Sequence, residues 1–160
     1  IRFGLRTPQA EDLNDLYSST RSSGFGNEVK KRIMLGTYAL SSGYYDAYYG
    51  KAQSVRNLMK NSFKKVFEQV DFIYLPTGPS TAFKCGEMKH DTLKEYLFDI
   101  FTIPANLCGI PAISVPAPVP KNHLPVGLQF FAKEGDDARL IAFSHLLETE
   151  NLIKTTELKV

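Results

Sequence analysis

The sequence contains a helical repeat that is too long for one straight helix. Between residues 29 and 70, apolar side chains recur in eleven steps over 41 residues if Thr37 is counted, about 3.7 residues per step, close to the period of an amphipathic α-helix. A straight helix of this length would span about 60 Å, whereas a compact protein of this size has a radius of gyration of only about 15 Å. The helix must therefore break or project. Ser41, Ser42 and Gly43 are the predicted break, because serine competes for backbone hydrogen bonds and glycine disfavours a helix interior.

The rest of the chain alternates helical and extended patterns. A short helix is expected to start near Thr7 and Pro8 and to stop near Gly24 and Gly26, with a new N-cap at Asn27. Apolar runs bounded by turn residues predict three strands, and helical spacing predicts two further helices. The predicted strands are residues 72–75, 112–116 and 126–131, and the predicted helices are residues 92–107 and a segment starting at 136–137. Separated strands among helices indicate an α/β protein.

Composition excludes several classes of protein. Nineteen Lys and Arg against seventeen Asp and Glu, with the two signs interspersed, give no basic face of the kind that a nucleic-acid binder needs. No apolar run approaches the roughly eighteen residues that a membrane span requires. With two cysteines in 160 residues, a disulfide framework is not expected and a reducing compartment is favoured.

The usual signals of a catalytic or metal site are missing. The sequence has no nucleophile elbow, P-loop, zinc-protease helix or dinucleotide-binding fingerprint, and nothing predicts a metal site. The paired tyrosines at 44–45 and 48–49 are interpreted as a broad packing face, either core or subunit contact.

Two charged residues stand out because each falls where burial is expected. Arg32 directly precedes an apolar stretch of the long repeat, and Asp99 is the only charge between residues 96 and 101. A buried charge needs a partner or a ligand. From the residues alone, a structural salt bridge or helix cap is the preferred interpretation of both.

Four segments together resemble a known family. They read RIMLGTYALS at residues 32–41, GYYDAYY at 43–49, ANLCGIP at 105–111 and PVGLQ at 125–129. In this order they resemble the C-terminal third of the amidase-signature family. Within that family the match is best to the branch formed by the A subunits of the amidotransferases that act on glutamyl-tRNA(Gln) and aspartyl-tRNA(Asn).

The resemblance implies that residues 1–160 are the C-terminal portion of a single amidase domain, with a mixed sheet flanked by helices. In that family, two serines and a lysine in the N-terminal part form the catalytic triad. The triad would lie outside this chain, which would therefore hold no catalytic residue and be inactive alone. A first residue of Ile1 fits a processed product, an expressed piece or a partial chain.

The resemblance also reverses the interpretation of the two charges. By correspondence with the family's glutamine-binding residues, Arg32 would bind the α-carboxylate of glutamine and Asp99 its α-ammonium. An arginine can meet a carboxylate with two parallel hydrogen bonds, which lysine cannot reproduce.

The implied function is ammonia release from glutamine for the tRNA-dependent synthesis of Gln-tRNA(Gln) or Asn-tRNA(Asn). The implied partners are the B and C subunits of the amidotransferase and, through the complex, charged tRNA, with no membrane. No cofactor is expected in this chain; ATP and Mg²⁺ would belong to the partner subunit. The implied location is the cytoplasm, or a mitochondrial or plastid matrix in a eukaryote. The alternatives are a stand-alone amidase of the same family and a non-catalytic assembly module.

Overall fold

The computed structural model describes residues 4–87, 92–120 and 123–153. Within these ranges the chain forms six α-helices and three β-strands. The helices are α1 (Leu13–Gly24), α2 (Asn27–Ala39), α3 (Lys51–Val66), α4 (Thr92–Phe98), α5 (Ile103–Cys108) and α6 (Asp137–Thr149), and the strands are β1 (Phe72–Pro76), β2 (Ala112–Pro116) and β3 (Gly127–Ala132). The chain divides into two compact units, Ile1–Gln53 and Ser54–Val160. That both belong to a single amidase domain stays a prediction.

The first helix of the first unit starts later than predicted. Its N-cap is Asp12, whose side chain accepts a hydrogen bond from the backbone N–H of Asp15 at 2.7 Å, so the helix begins at Leu13 and not near Pro8. The next helix is capped by Gly26 without a side-chain hydrogen bond, and Asn27 is its first residue. The predicted stop near Gly24 is confirmed.

The predicted break in the long helical repeat is confirmed. Helix α2 ends at Ala39, and Gly43 adopts a φ of +88°. A residue with a side chain would adopt this backbone angle only with strain. The chain then forms a π-helical turn, Tyr45–Gly50, before α3 begins. A π-helical turn adds one residue to the turn and therefore shifts which side chains share a face.

The second unit contains a three-stranded sheet with strand order β1-β3-β2. Phe130 in the central strand lies opposite Tyr74 of β1 and Ile113 of β2. The α/β class is confirmed. Both pairings among the described strands are antiparallel, so the parallel pairing that a mixed sheet needs is not present in this part of the chain.

The two faces of the sheet pack against different helices because successive side chains of a strand point to opposite faces. Phe131, only 1% exposed, packs edge to face with Phe63 of α3 at a centroid distance of 5.9 Å. On the other face, Phe143 of α6 packs against Phe130 at 5.3 Å and stacks on Phe72 at 4.4 Å. The core of this unit is therefore an aromatic sandwich of helix, sheet and helix.

The single helix predicted over residues 92–107 is wrong. The structure has α4 and α5 with a turn between them, and Pro104 lies in the first turn of α5. Proline lacks an N–H and its ring clashes with the carbonyl four residues earlier, so it starts a helix well and cannot continue one. Asp99 therefore lies in a turn and not on a continuous helix.

Candidate functional site

Arg32 lies on α2 and is exposed, not buried as predicted. Its side chain is 67% exposed, and α2 has no buried residue among those that the structure describes. The apolar stretch beside it is also exposed: Ile33, Met34 and Leu35 are each about half exposed or more. The apolar pattern correctly predicted a helix here, but the burial expected from the same pattern is wrong for α2.

The guanidinium of Arg32 is oriented by Glu28, one turn earlier. Its Nε donates to Glu28 Oε1 at 2.9 Å, and Lys31 Nζ lies 3.9 Å from the other oxygen of the same carboxylate. An exposed pair of this spacing contributes about 0.5 kcal/mol or less to stability. Because Nε is occupied, the two terminal nitrogens of Arg32 remain without a partner in the described chain and can present an end-on fork to a carboxylate.

Asp99 lies in the turn between α4 and α5, and it too is exposed where burial was predicted. Its backbone carbonyl accepts hydrogen bonds from the N–H groups of Thr102 at 3.1 Å and Ile103 at 3.0 Å. Among the residues that the structure describes, no cation pairs with its carboxylate. The backbone of Asp99 is thus fixed while its carboxylate is free to accept hydrogen bonds from an ammonium group.

Residues from the sheet and its loops hold this turn on both sides. Before Asp99, the rings of Phe98 and Phe83 pack edge to face at a centroid distance of 5.0 Å, and a β-carbon added at Gly78 would lie 3.7 Å from the Phe98 ring. After Asp99, the side-chain amide of Gln129 donates to the carbonyl of Phe101 at 2.8 Å. Gln129 is only 5% exposed. It was not among the predicted site residues, although a lone amide in an otherwise apolar strand was the signal that could have found it.

A pair of hydroxyls lies on the same face of the sheet as Gln129. Thr77 Oγ1 and Ser114 Oγ are 2.6 Å apart, and either atom can be the donor. They meet above Gly127, whose carbonyl accepts from the N–H of Thr77 at 2.9 Å. The loop after β1 is thus attached to β2 and β3 immediately before Gly78, which lies close to the ring of Phe98.

The tyrosines after the helix break pack on one another. Tyr38 and Tyr44 have ring centroids 4.4 Å apart, and Tyr48 lies 6.0 Å from Tyr44. A hydrogen bond with Tyr44 is the main cause of the raised pKa of Tyr38, and desolvation and the nearby Tyr48 contribute further. All three rings remain well exposed, so they form a surface cluster in this unit. Of the two predicted roles for the paired tyrosines, a core position is wrong for Tyr44 and Tyr48, and a subunit contact stays a prediction.

The two cysteines differ in environment. Cys108 is fully buried at the end of α5, and Cys85 is exposed; neither is in a disulfide. Burial raises the pKa of the Cys108 thiol above its ordinary value, although the positive charges of Arg56 and Lys60 oppose the change. Arg56 also donates from Nε to the carbonyl of Leu107 at 2.6 Å. Cys108 is therefore a packed, protonated thiol.

The two predicted site residues lie in different units, Arg32 in the first and Asp99 in the second. Their assignment to one pocket stays a prediction. In the described ranges, no group of three or more histidine, cysteine or acidic side chains could hold a metal ion. None of the described helices is long and apolar enough to cross a membrane.

Comparison with known proteins identifies the family. The family model described as Amidase matches residues 2–141. Over 148 residues, 92% of this chain, the sequence is 56% identical to the A subunit of the glutamyl-tRNA(Gln) amidotransferase of Thermodesulfovibrio yellowstonii and 57% identical to that of a Geobacillus species. The chain spans about 30% of the length of each of these relatives.

A solved structure agrees with the sequence comparison. The crystal structure of the A subunit of the glutamyl-tRNA(Gln) amidotransferase of Thermotoga maritima superposes with a TM-score of 0.64 at 44% identity, over 92% of this chain and 33% of that one. The family match extends over most of both compact units. The chain therefore belongs to the amidase family.

Proposed function

We propose that this chain is part of the glutamine-hydrolysing subunit of a tRNA-dependent amidotransferase. Its relatives at 56% and 57% identity are named as the A subunit of glutamyl-tRNA(Gln) amidotransferase. The ammonia released from glutamine would convert Glu-tRNA(Gln) to Gln-tRNA(Gln), or Asp-tRNA(Asn) to Asn-tRNA(Asn). The protein would act in the cytoplasm, or in an organelle matrix of a eukaryote.

The role of this chain in that reaction is to bind the donor glutamine. Free glutamine carries an α-carboxylate and an α-ammonium, so a site that selects it needs one cation and one anion. The observation that supports this role is that Arg32 and Asp99 each keep their charged ends available: Glu28 occupies only Nε of Arg32, and no described cation neutralises Asp99. Arg32 binds the carboxylate through its two terminal nitrogens, and Asp99 accepts from the ammonium.

The chemical step belongs to residues outside this chain. A serine, activated by a second serine and a lysine, attacks the side-chain amide of glutamine, releasing ammonia and leaving a glutamyl ester that water hydrolyses. In this proposal the 160-residue chain alone does not hydrolyse glutamine. The B subunit would hold ATP and Mg²⁺, which would supply the activation of the tRNA-bound acid, and the C subunit and the charged tRNA would complete the complex.

The test is the Arg32→Lys variant of the complete subunit in its complex. Lysine keeps the charge and loses the two-pronged contact, so we expect the KM for glutamine to rise about tenfold or more with a smaller change in kcat. Lys31→Arg is the matched control, because Lys31 is the neighbouring cation at the same glutamate. An unchanged KM in Arg32→Lys would contradict the assignment.

A stand-alone amidase is the second candidate, since the family model that matches is that of amidases in general. The two candidates differ in their partners. Purification of the complete protein from its own cells would recover further subunits in stoichiometric amounts if it is an amidotransferase, and none if it acts alone.

A further inference from the structure

Gln129 has the only side-chain amide in the central strand, and this amide forms a hydrogen bond with a residue outside the sheet. Its Nε2 reaches the carbonyl of Phe101 at 2.8 Å, across 28 residues of sequence. Phe101 lies at the junction where α4 has ended and α5 has not begun. Carbonyl groups at such a junction lose regular helical partners and need others. Gln129 supplies one from a rigid position in the middle of the sheet.

The loop that Gln129 holds is the one that bears Asp99. Phe101 is two residues after Asp99. The turn that contains both residues is closed by the N–H groups of Thr102 and Ile103, which donate to the Asp99 carbonyl. Residues outside the loop fix it on both sides. Gln129 acts on its C-terminal side, and the contact of the Phe98 ring with Phe83 acts on its N-terminal side.

The Asp99 carboxylate itself has no partner in the described chain to set its direction, so its position depends on its backbone. We infer that Gln129 is a positioning residue of the glutamine site: it fixes the turn that presents Asp99 to the α-ammonium of the substrate. This inference rests on the proposed role of Asp99. A merely structural role would lower stability and leave substrate affinity unchanged.

The test uses Gln129→Met in the complete subunit and its complex. Methionine matches glutamine in length and lacks the donor, so the Phe101 carbonyl loses its partner without a large change in volume. We expect the KM for glutamine to rise roughly tenfold, the scale of one lost hydrogen bond, with a smaller change in kcat. In hydrogen exchange, the amides of Thr102 and Ile103 should lose protection.

Ser144→Ala is the matched control. Ser144 is also buried and also donates from its side chain to a backbone carbonyl, that of Leu140 at 3.0 Å, but in α6. It should lower the melting temperature and leave both the KM and the protection of the Asp99 turn unchanged. If Gln129→Met does not fold well enough for kinetics, Gln129→Glu provides a second variant. The carboxyl of this variant can donate to Phe101 only when it is protonated, so its KM should approach that of the parent protein as the pH is lowered.

Asp99→Asn separates this inference from the proposed function. If both variants raise the KM and the double variant adds little to either, Gln129 acts through Asp99. If Asp99→Asn raises the KM and Gln129→Met does not, the positioning role is wrong and the proposed function stands. If Asp99→Asn leaves the KM unchanged, the proposed site is wrong, and the positioning role is overturned with it.

Discussion

The hydroxyl oxygens of Thr77 and Ser114 lie 2.6 Å apart directly above Gly127. A β-carbon on Gly127 would lie 2.6 Å from Thr77 Oγ1 and 2.9 Å from Ser114 Oγ, closer than a real β-carbon approaches a non-bonded atom. This contact joins all three strands at one end of the sheet, since Thr77 follows β1, Ser114 is in β2 and Gly127 begins β3.

Gly127→Ala should therefore destabilise the protein. The added methyl must separate the two hydroxyls or push the loop after β1 away from the sheet, and overpacking of this kind costs about 1–3 kcal/mol. Thermal unfolding of the complete protein measures the effect. Gly36→Ala is the control, because Gly36 lies inside α2 with nothing within 4 Å of its would-be β-carbon. Alanine there should be neutral or stabilise by up to about 1 kcal/mol. Equal melting temperatures for the two variants would contradict the packing described.

Phe143 provides a second test of the fold, because it is the ring through which α6 holds the sheet. It contacts Phe72 at 4.4 Å and Phe130 at 5.3 Å. Since Phe143 is only partly buried, we expect Phe143→Ala to lower the free energy of unfolding by about 2 kcal/mol, below the usual range for a fully buried ring. Ile141→Ala, on the same helix at a position that is 62% exposed, should change it by less than about 1 kcal/mol. A larger effect at Ile141 would mean that α6 packs through a different face.

Local signals in the sequence were sufficient for most elements of the fold. Gly43 and the two serines before it correctly predicted where the long helical repeat breaks, because a backbone preference acts there regardless of what lies around it. The strands were predicted to within a residue at each end, because an apolar run bounded by turn residues is also a local signal. The helix over residues 92–107 failed because its apolar spacing continued through Pro104, and the steric rule of proline outweighed the spacing.

The site was harder to predict because its properties are not local. Burial of Arg32 and Asp99 was expected from their apolar neighbours, but most of those neighbours are themselves exposed in the described chain, and periodicity does not say what covers a face. The ion pair of Arg32 with Glu28 follows from helical spacing and could have been predicted. The contact of Gln129 with Phe101 joins a strand to a distant turn, and no spacing in the sequence indicates it.

The buried thiol of Cys108 allows a prediction about how the stability of the protein depends on pH. The pKa of Cys108 is raised in the folded protein, chiefly by burial. As the pH rises above about 8.5, the ordinary thiol pKa, the unfolded state loses the Cys108 proton before the folded state does. The folded state then holds more protons than the unfolded state. The contribution of Cys108 to the free energy of unfolding is therefore constant below that pH and decreases above it. Unfolding measured between about pH 7 and pH 10 should show this decrease, and Cys108→Ala should have a flatter profile over the same range.

The same difference predicts which thiol reacts in the folded chain. Only the thiolate attacks an alkylating reagent, and Cys85 is exposed whereas Cys108 is buried with a raised pKa. At about pH 8, iodoacetamide should label Cys85 in the folded protein while Cys108 reacts only on unfolding, as peptide mass spectrometry would show. Cys85→Ser should remove the fast reaction, and denaturant should restore one labelled site in this chain. Rapid labelling of Cys108 in the native protein would contradict its burial at the end of α5.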